Sequence, residues 1–164
     1  MMSMWLFIVS SVCVVACGLV SGVFLTFSDF VMKSLRGAQQ SAGIEVMQVI
    51  NRKVYKSVFM VLLLGMSAVS TILLGYGLLI GPTPENILIM TGSGIYFIGV
   101  FLVSMVFNVP MNKRLESMEY SSSAAALYWT DTYVPRWVFW NTVRTIASAA
   151  ASVCFLVVCL QFGV

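Results

Sequence analysis

Seven polar side chains that could do chemistry stand at or near the apolar stretches of a mostly hydrophobic chain of 164 residues: Asp29, Gln48, Asn51, Asn108, Asn112, Asn141 and Arg144. A charged or amide group at membrane depth is costly, so it marks a functional site by default, with a partner to be named. Asn141 and Arg144 are three residues apart and share a helix face. Arg144 lies about two turns, roughly 10 Å, beyond Trp137, so it must snorkel or find an anion. Asp29 is the one acidic residue near that depth. The expected arrangement is an Asp29–Arg144 pair, either lining a pocket or locking two helices together. Histidine is absent. That removes imidazole bases, bis-His haem, His-containing zinc sites and the two-His-one-carboxylate iron triad.

The elements that must position these groups follow from composition. Hydrophobic residues make up 60% of the chain and charged residues 9%, against about 45–50% and about 25% in soluble domains. Mean hydropathy is +0.97. A soluble globule of this size could not hide so much apolar surface, and disordered chains have the opposite bias. The chain reads as an all-α polytopic membrane protein, a single four-helix transmembrane domain over 1–164. Spans are predicted near 4–28, 57–80, 87–107 and 137–162, each about the 20 residues needed to cross a bilayer. Residues 1–28 carry no Lys or Arg, so the first apolar run lacks the basic start of a secretory signal and reads as a retained helix. Gly81-Pro82-Thr83-Pro84 makes a tight turn between the second and third spans.

Lys33, Arg36, Arg52, Lys53 and Lys56 fall between spans one and two, and Lys113, Arg114 and Arg136 between spans three and four. The positive-inside rule then places both long loops in the cytoplasm and both termini outside, as in a bacterial inner membrane. With that topology all seven polar groups share one leaflet. Residues 43–52 have helical apolar spacing and are expected as a short interfacial helix. Residues 121–131 are expected as a second, the two forming a lid, with Pro110 ending the third span. Gly18-x-x-x-Gly22, Gly92, Gly94, Gly99 and the Ala147/Ala151 and Ser148/Ser152 pairs permit close helix contacts, within one chain or in a homo-oligomer. Gly22-Val23-Phe24-Leu25 recurs as Gly99-Val100-Phe101-Leu102, as a duplicated helix pair would produce.

Two constellations have alternative readings. Trp129, Tyr133, Trp137 and Trp140 suit a membrane-interface belt and would equally wall a flat aromatic ligand. Cys13, Cys17, Cys154 and Cys159 could offer sulfur to Cu(I), but the spacing of Cys154 and Cys159 puts them on diverging faces, so no metal site is assigned and the thiols read as small hydrophobes. No basic run is interleaved with aromatics, so nucleic acid is not an expected partner; membrane lipid is.

Taken in order, Phe27-Ser28-x-x-Val31-Met32, Met47-Gln48-x-Ile50-Asn51, Phe107-Asn108-Val109-Pro110-x-Asn112 and Trp137-x-x-Trp140-Asn141-x-x-Arg144 resemble the anthrone-oxygenase-like family across residues 20–150. The resemblance implies a small four-helix membrane protein, in a family that is mostly bacterial and whose fungal members are assigned to anthrone oxidation in polyketide pathways. It also implies an oxidation that needs neither metal nor flavin, because an anthrone carbanion can pass an electron to O₂ directly. A mechanism that requires histidine is not open to this chain. On that resemblance Asp29 is the expected base, and Arg144 an alternative partner for the oxyanion. Gln48, Asn108 and Asn141 are expected hydrogen-bond donors. Asn51, Asn112, Trp137 and Trp140 complete the expected binding surface for a hydrophobic aromatic molecule. The competing reading is a non-catalytic protein that binds lipid or quinone or serves as an accessory subunit, with transport a third.

Overall fold

The computed structural model describes residues 3–161, and these form five helices and no strand. Four are long and apolar enough to cross a membrane: α1 (Met4–Gly37), α3 (Val58–Ile80), α4 (Pro84–Glu116) and α5 (Ser123–Leu160). The fifth, α2 (Gln40–Val54), lies between α1 and α3. The chain is an integral membrane protein by this measure. The expected end of the fourth span at Phe162 lies outside the described residues.

Local sequence explains the helix boundaries. Ser57, Thr83 and Ser122 are extended N-cap residues whose hydroxyls accept hydrogen bonds from the backbone N–H groups of Met60, Asn86 and Ala125, satisfying donors that a helix start leaves open. Pro84 follows Thr83 at the first turn of α4, where a missing N–H does no harm. Gly81 ends α3 with φ +88°, a conformation that glycine adopts without a Cβ clash.

Three of the long helices exceed what a bilayer needs. At 1.5 Å per residue, the 34 residues of α1 extend about 51 Å, against a hydrocarbon core of roughly 30 Å. The surplus of α1, α4 and α5 meets α2 at the end rich in Lys and Arg. A second apolar core forms there around Met32, Ile44, Met47, Leu115, Trp129 and Tyr133. Gln48 fastens it, donating to the carbonyls of Leu115 (2.8 Å) and Met118 (2.9 Å) at the end of α4.

Two expectations are corrected here. Pro110 does not end the third span: α4 runs on to Glu116. Residues 121–131 are not a separate lid helix but the first turns of α5, which begins at Ser123. The reason is the same in both places. A π-helical turn, Ser104–Asn108 in α4 and Trp129–Tyr133 in α5, stands just ahead of Pro110 and Pro135. A π turn widens the helix and shifts the hydrogen-bond register, so a proline that would break a regular helix fits there. A further π turn covers Phe27–Val31 in α1. The shift that maps Gly22 onto Gly99 also maps this turn onto Ser104–Asn108, which favours duplication of a helix pair.

Packing runs α1 against α5, α5 against α4, and α4 against α3, with α3 and α1 closing the ring. The α4–α5 contact uses the expected small residues. A Cβ added at Gly99 would overlap that of Ala147, and one at Gly92 would crowd Cys154 and the Ala151 carbonyl. Gly18 and Gly22 do not behave as expected: both are exposed, and a Cβ at either would meet nothing. The α1–α5 seam is instead held by hydrogen bonds, Ser21 to the Thr145 carbonyl at 3.0 Å and Ser152 to the Val14 carbonyl at 2.9 Å. Such bonds are favoured where no water competes. Cys13 and Cys17 are buried in the main apolar core, with Phe24, Leu63, Tyr96 and Phe155, and all four cysteines are free thiols.

Candidate functional site

Arg144 is buried in the bundle, with 6% of its surface exposed. Its Nη2 donates to the Asn141 Oδ1 at 2.7 Å and its Nη1 to the Ser104 hydroxyl at 3.2 Å. The guanidinium lies 4.2 Å from the ring centre of Phe24 and 5.5 Å from that of Trp137, where the electron-rich ring faces attract a cation. Its Nε has no hydrogen-bond partner. Among the described residues no carboxylate lies within salt-bridge distance of it. This is a buried charge held by neutral groups.

The expected Asp29–Arg144 pair is therefore not formed. Asp29 is exposed and lies 3.5 Å from Lys33, one turn along the same helix. Ser28, its neighbour, is the residue that faces the site. Asn141 Nδ2 donates to the Phe24 carbonyl at 2.6 Å and to the Ser28 hydroxyl at 2.7 Å. Geometry accounts for the difference: Ser28 stands about one turn beyond Phe24, whereas Asp29 is rotated about another 100° round the helix.

A cavity of about 570 Å³ adjoins Arg144, within the roughly 300–1,000 Å³ usual for small-molecule sites. It lies between α3 and the basic-end halves of α1, α4 and α5, with α2 across its mouth. Its walls are mostly apolar, including Phe24, Phe59, Leu63 and Trp137, while Asn51, Ser104, Asn108, Asn112, Asn141 and Arg144 supply polar positions, as do Lys53, Tyr55 and Ser57. Asn108 Nδ2 donates to the Trp137 carbonyl at 3.3 Å, and its buried Oδ1 has no partner. Asn112 Oδ1 accepts from Tyr133 Oη at 2.9 Å and from Trp137 Nε1 at 2.8 Å, fixing the Trp137 ring as a wall. The Asn51 amide lies near the Tyr133 hydroxyl, yet its Nδ2 makes no well-formed hydrogen bond.

Of the expected site residues, Asn51, Asn108, Asn112, Trp137, Asn141 and Arg144 thus meet at one cavity. Asp29, Gln48 and Trp140 do not. Gln48 ties α2 to α4, and Trp140 stacks on Phe107 with ring centres 3.6 Å apart. The aromatic group is not a simple belt either: Trp129 and Tyr133 are buried and stacked at 5.3 Å, and Trp137 continues the ladder at 6.3 Å. Two contributors went unnoticed in the sequence. Ser104 holds Arg144, and its spacing from Asn108 and Asn112 is a helical stripe that could have revealed it. Phe24 covers the guanidinium, and only its recurrence in the Gly-Val-Phe-Leu repeat singled it out.

A family model described as anthrone oxygenase matches residues 51–154, a stretch that contains every polar side chain of the cavity named above. No curated protein and no solved structure matches the chain.

Proposed function

The chain belongs to the anthrone oxygenase family, and from that premise we propose that it oxidises a flat aromatic, anthrone-like molecule in the cavity beside Arg144. One observation carries the reading. A guanidinium is buried without a carboxylate at the edge of an apolar cavity, with Nε unpartnered. An unpaired buried charge is strongly unfavourable. It becomes useful when a reaction generates negative charge beside it.

Anthrone oxidation does so. Loss of a benzylic proton moves charge onto the carbonyl oxygen of the ring system, and the Arg144 guanidinium donates a hydrogen bond to that oxyanion. Phe24 and Trp137 lie against the guanidinium and Asn141 accepts from its Nη2, so little reorganisation is required. The proton passes to water at the cavity mouth, since no carboxylate or imidazole lines the cavity among the described residues. The carbanion gives one electron to O₂. The resulting superoxide joins the benzylic radical to give a peroxide anion, which takes a proton back from water, and the hydroperoxide loses water to leave a quinone carbonyl. One oxygen atom enters the product, and the other leaves as water with the two benzylic hydrogens.

Non-catalytic glue is less consistent with the site. Polar groups that served only to lock helices would satisfy one another, whereas Asn108 Oδ1 and Arg144 Nε are buried without a partner. The test is oxygen uptake and quinone absorbance with purified protein and a simple anthrone. Uptake above the spontaneous rate, lost in Arg144→Met, supports the proposal. Uptake unchanged in that variant removes Arg144 from the reaction.

A further inference from the structure

A second cleft, of about 540 Å³, opens beside the mouth of the first. Asn51, Tyr55 and Asn112 line both, so the two are neighbours that share these side chains. Their chemistry differs. Where the first is walled by rings and aliphatic groups, the second adds Arg52, Lys56, Lys113, Glu116 and Ser117. Its one carboxylate is already engaged, because Glu116 is paired with Arg52 across α2 and α4. Lys56 and Lys113 have no ion-pair partner among the described residues, and neither has Lys53 at the mouth of the first cavity.

We infer that this cleft receives a carboxylate carried by the same molecule whose ring system occupies the Arg144 cavity. The inference rests on the proposed function and narrows its substrate class to aromatic acids. The argument is one of complementarity. A neutral polycycle would fill the apolar cavity and leave a cleft with excess positive charge facing water. An amphiphile with an anionic end satisfies both regions at once, and its charge fixes which end of the ring reaches Arg144. Lysines this exposed act through a solvent-screened attraction, so the expected preference is on the order of 10-fold and salt-sensitive. Basic residues at a membrane face also meet lipid phosphates, so the same cations have a competing occupant.

The experiment needs no turnover. Full-length protein in nanodiscs of zwitterionic lipid is titrated with anthraquinone-2-carboxylate and with anthraquinone. The carboxylate should bind about 10-fold more tightly, by an amount that shrinks as salt is raised. The preference should disappear in Lys56→Gln/Lys113→Gln, with monodispersity and thermal unfolding showing that the variant is folded. Equal affinities, or no binding of either compound, would overturn the inference. A preference that survives in the double variant would do the same, since it would place the carboxylate at Arg144. So would a preference abolished by adding an anionic phospholipid, which would make a lipid headgroup the occupant. If anthrone oxidation fails while this preference stands, the catalytic reading falls and the acid-binding cleft remains.

Discussion

Asn141 and Arg144 act as one unit: the Asn141 Oδ1 accepts from the guanidinium at 2.7 Å, while its Nδ2 donates to the Phe24 carbonyl and the Ser28 hydroxyl of α1. A single carboxamide therefore orients the buried cation and anchors it to the neighbouring helix. Its neutrality matters as much as its geometry, because a charged acceptor there would already satisfy the guanidinium.

Asn141→Asp tests that point. The new carboxylate would sit against Arg144 and compete with the substrate oxyanion for it. Anthrone turnover should fall by about 10²-fold or more, the scale of losing an oxyanion donor. Initial rates on a monodisperse preparation check this, and wild-type rates would contradict it.

Arg144→Met should separate activity from stability. Turnover is expected to drop by about 10²–10³-fold. The unfolding temperature should stay level or rise, because replacing buried charge by an apolar side chain of similar length is often neutral to stabilising by about 1–4 kcal/mol. Thermal unfolding and oxygen uptake on the same sample give both values.

Asp29→Asn should change little. The Asp29–Lys33 contact is solvent-exposed, and such pairs contribute about 0–1 kcal/mol. Activity should remain within about twofold of wild type, since the side chain is outside the cavity. A large loss of turnover would restore Asp29 as the base.

Gln48→Leu should act on the fold. It leaves the Leu115 and Met118 carbonyls without their donor, at a cost of about 1–3 kcal/mol. The effect should concentrate in α2 and the end of α4, seen as faster amide exchange there.

Gly99→Ala and Gly18→Ala should diverge. At Gly99 the added Cβ overlaps Ala147, forcing α4 and α5 apart at about 1–3 kcal/mol. At Gly18 it meets open space, and the better helix propensity of alanine should leave stability unchanged or raised by up to about 1 kcal/mol. Unfolding of both variants in one detergent makes the comparison.

The sequence by itself determined the four apolar helices, the tight turn at Gly81, the short helix α2 between the first two spans and the cluster of amides around Arg144. These depend on local quantities: hydropathy summed over a span, cap residues and side chains three or four apart. It also carried the family resemblance, through Asn108-Val109-Pro110-x-Asn112 and Trp140-Asn141-x-x-Arg144. Tertiary structure alone decided partners. Whether Ser28 or Asp29 meets the Asn141–Arg144 unit depends on the rotation of α1 about its axis; it is Ser28, through Asn141. Whether Pro110 ends a helix depends on the π turn before it. Whether a glycine pair is a contact depends on which helix lies opposite. Each is a matter of helix rotation and register, which packing sets and which a pattern of apolar residues leaves open by tens of degrees. That angle separates a carboxylate facing Arg144 from one facing Lys33, and it leaves the guanidinium without an ion-pair partner among the described residues.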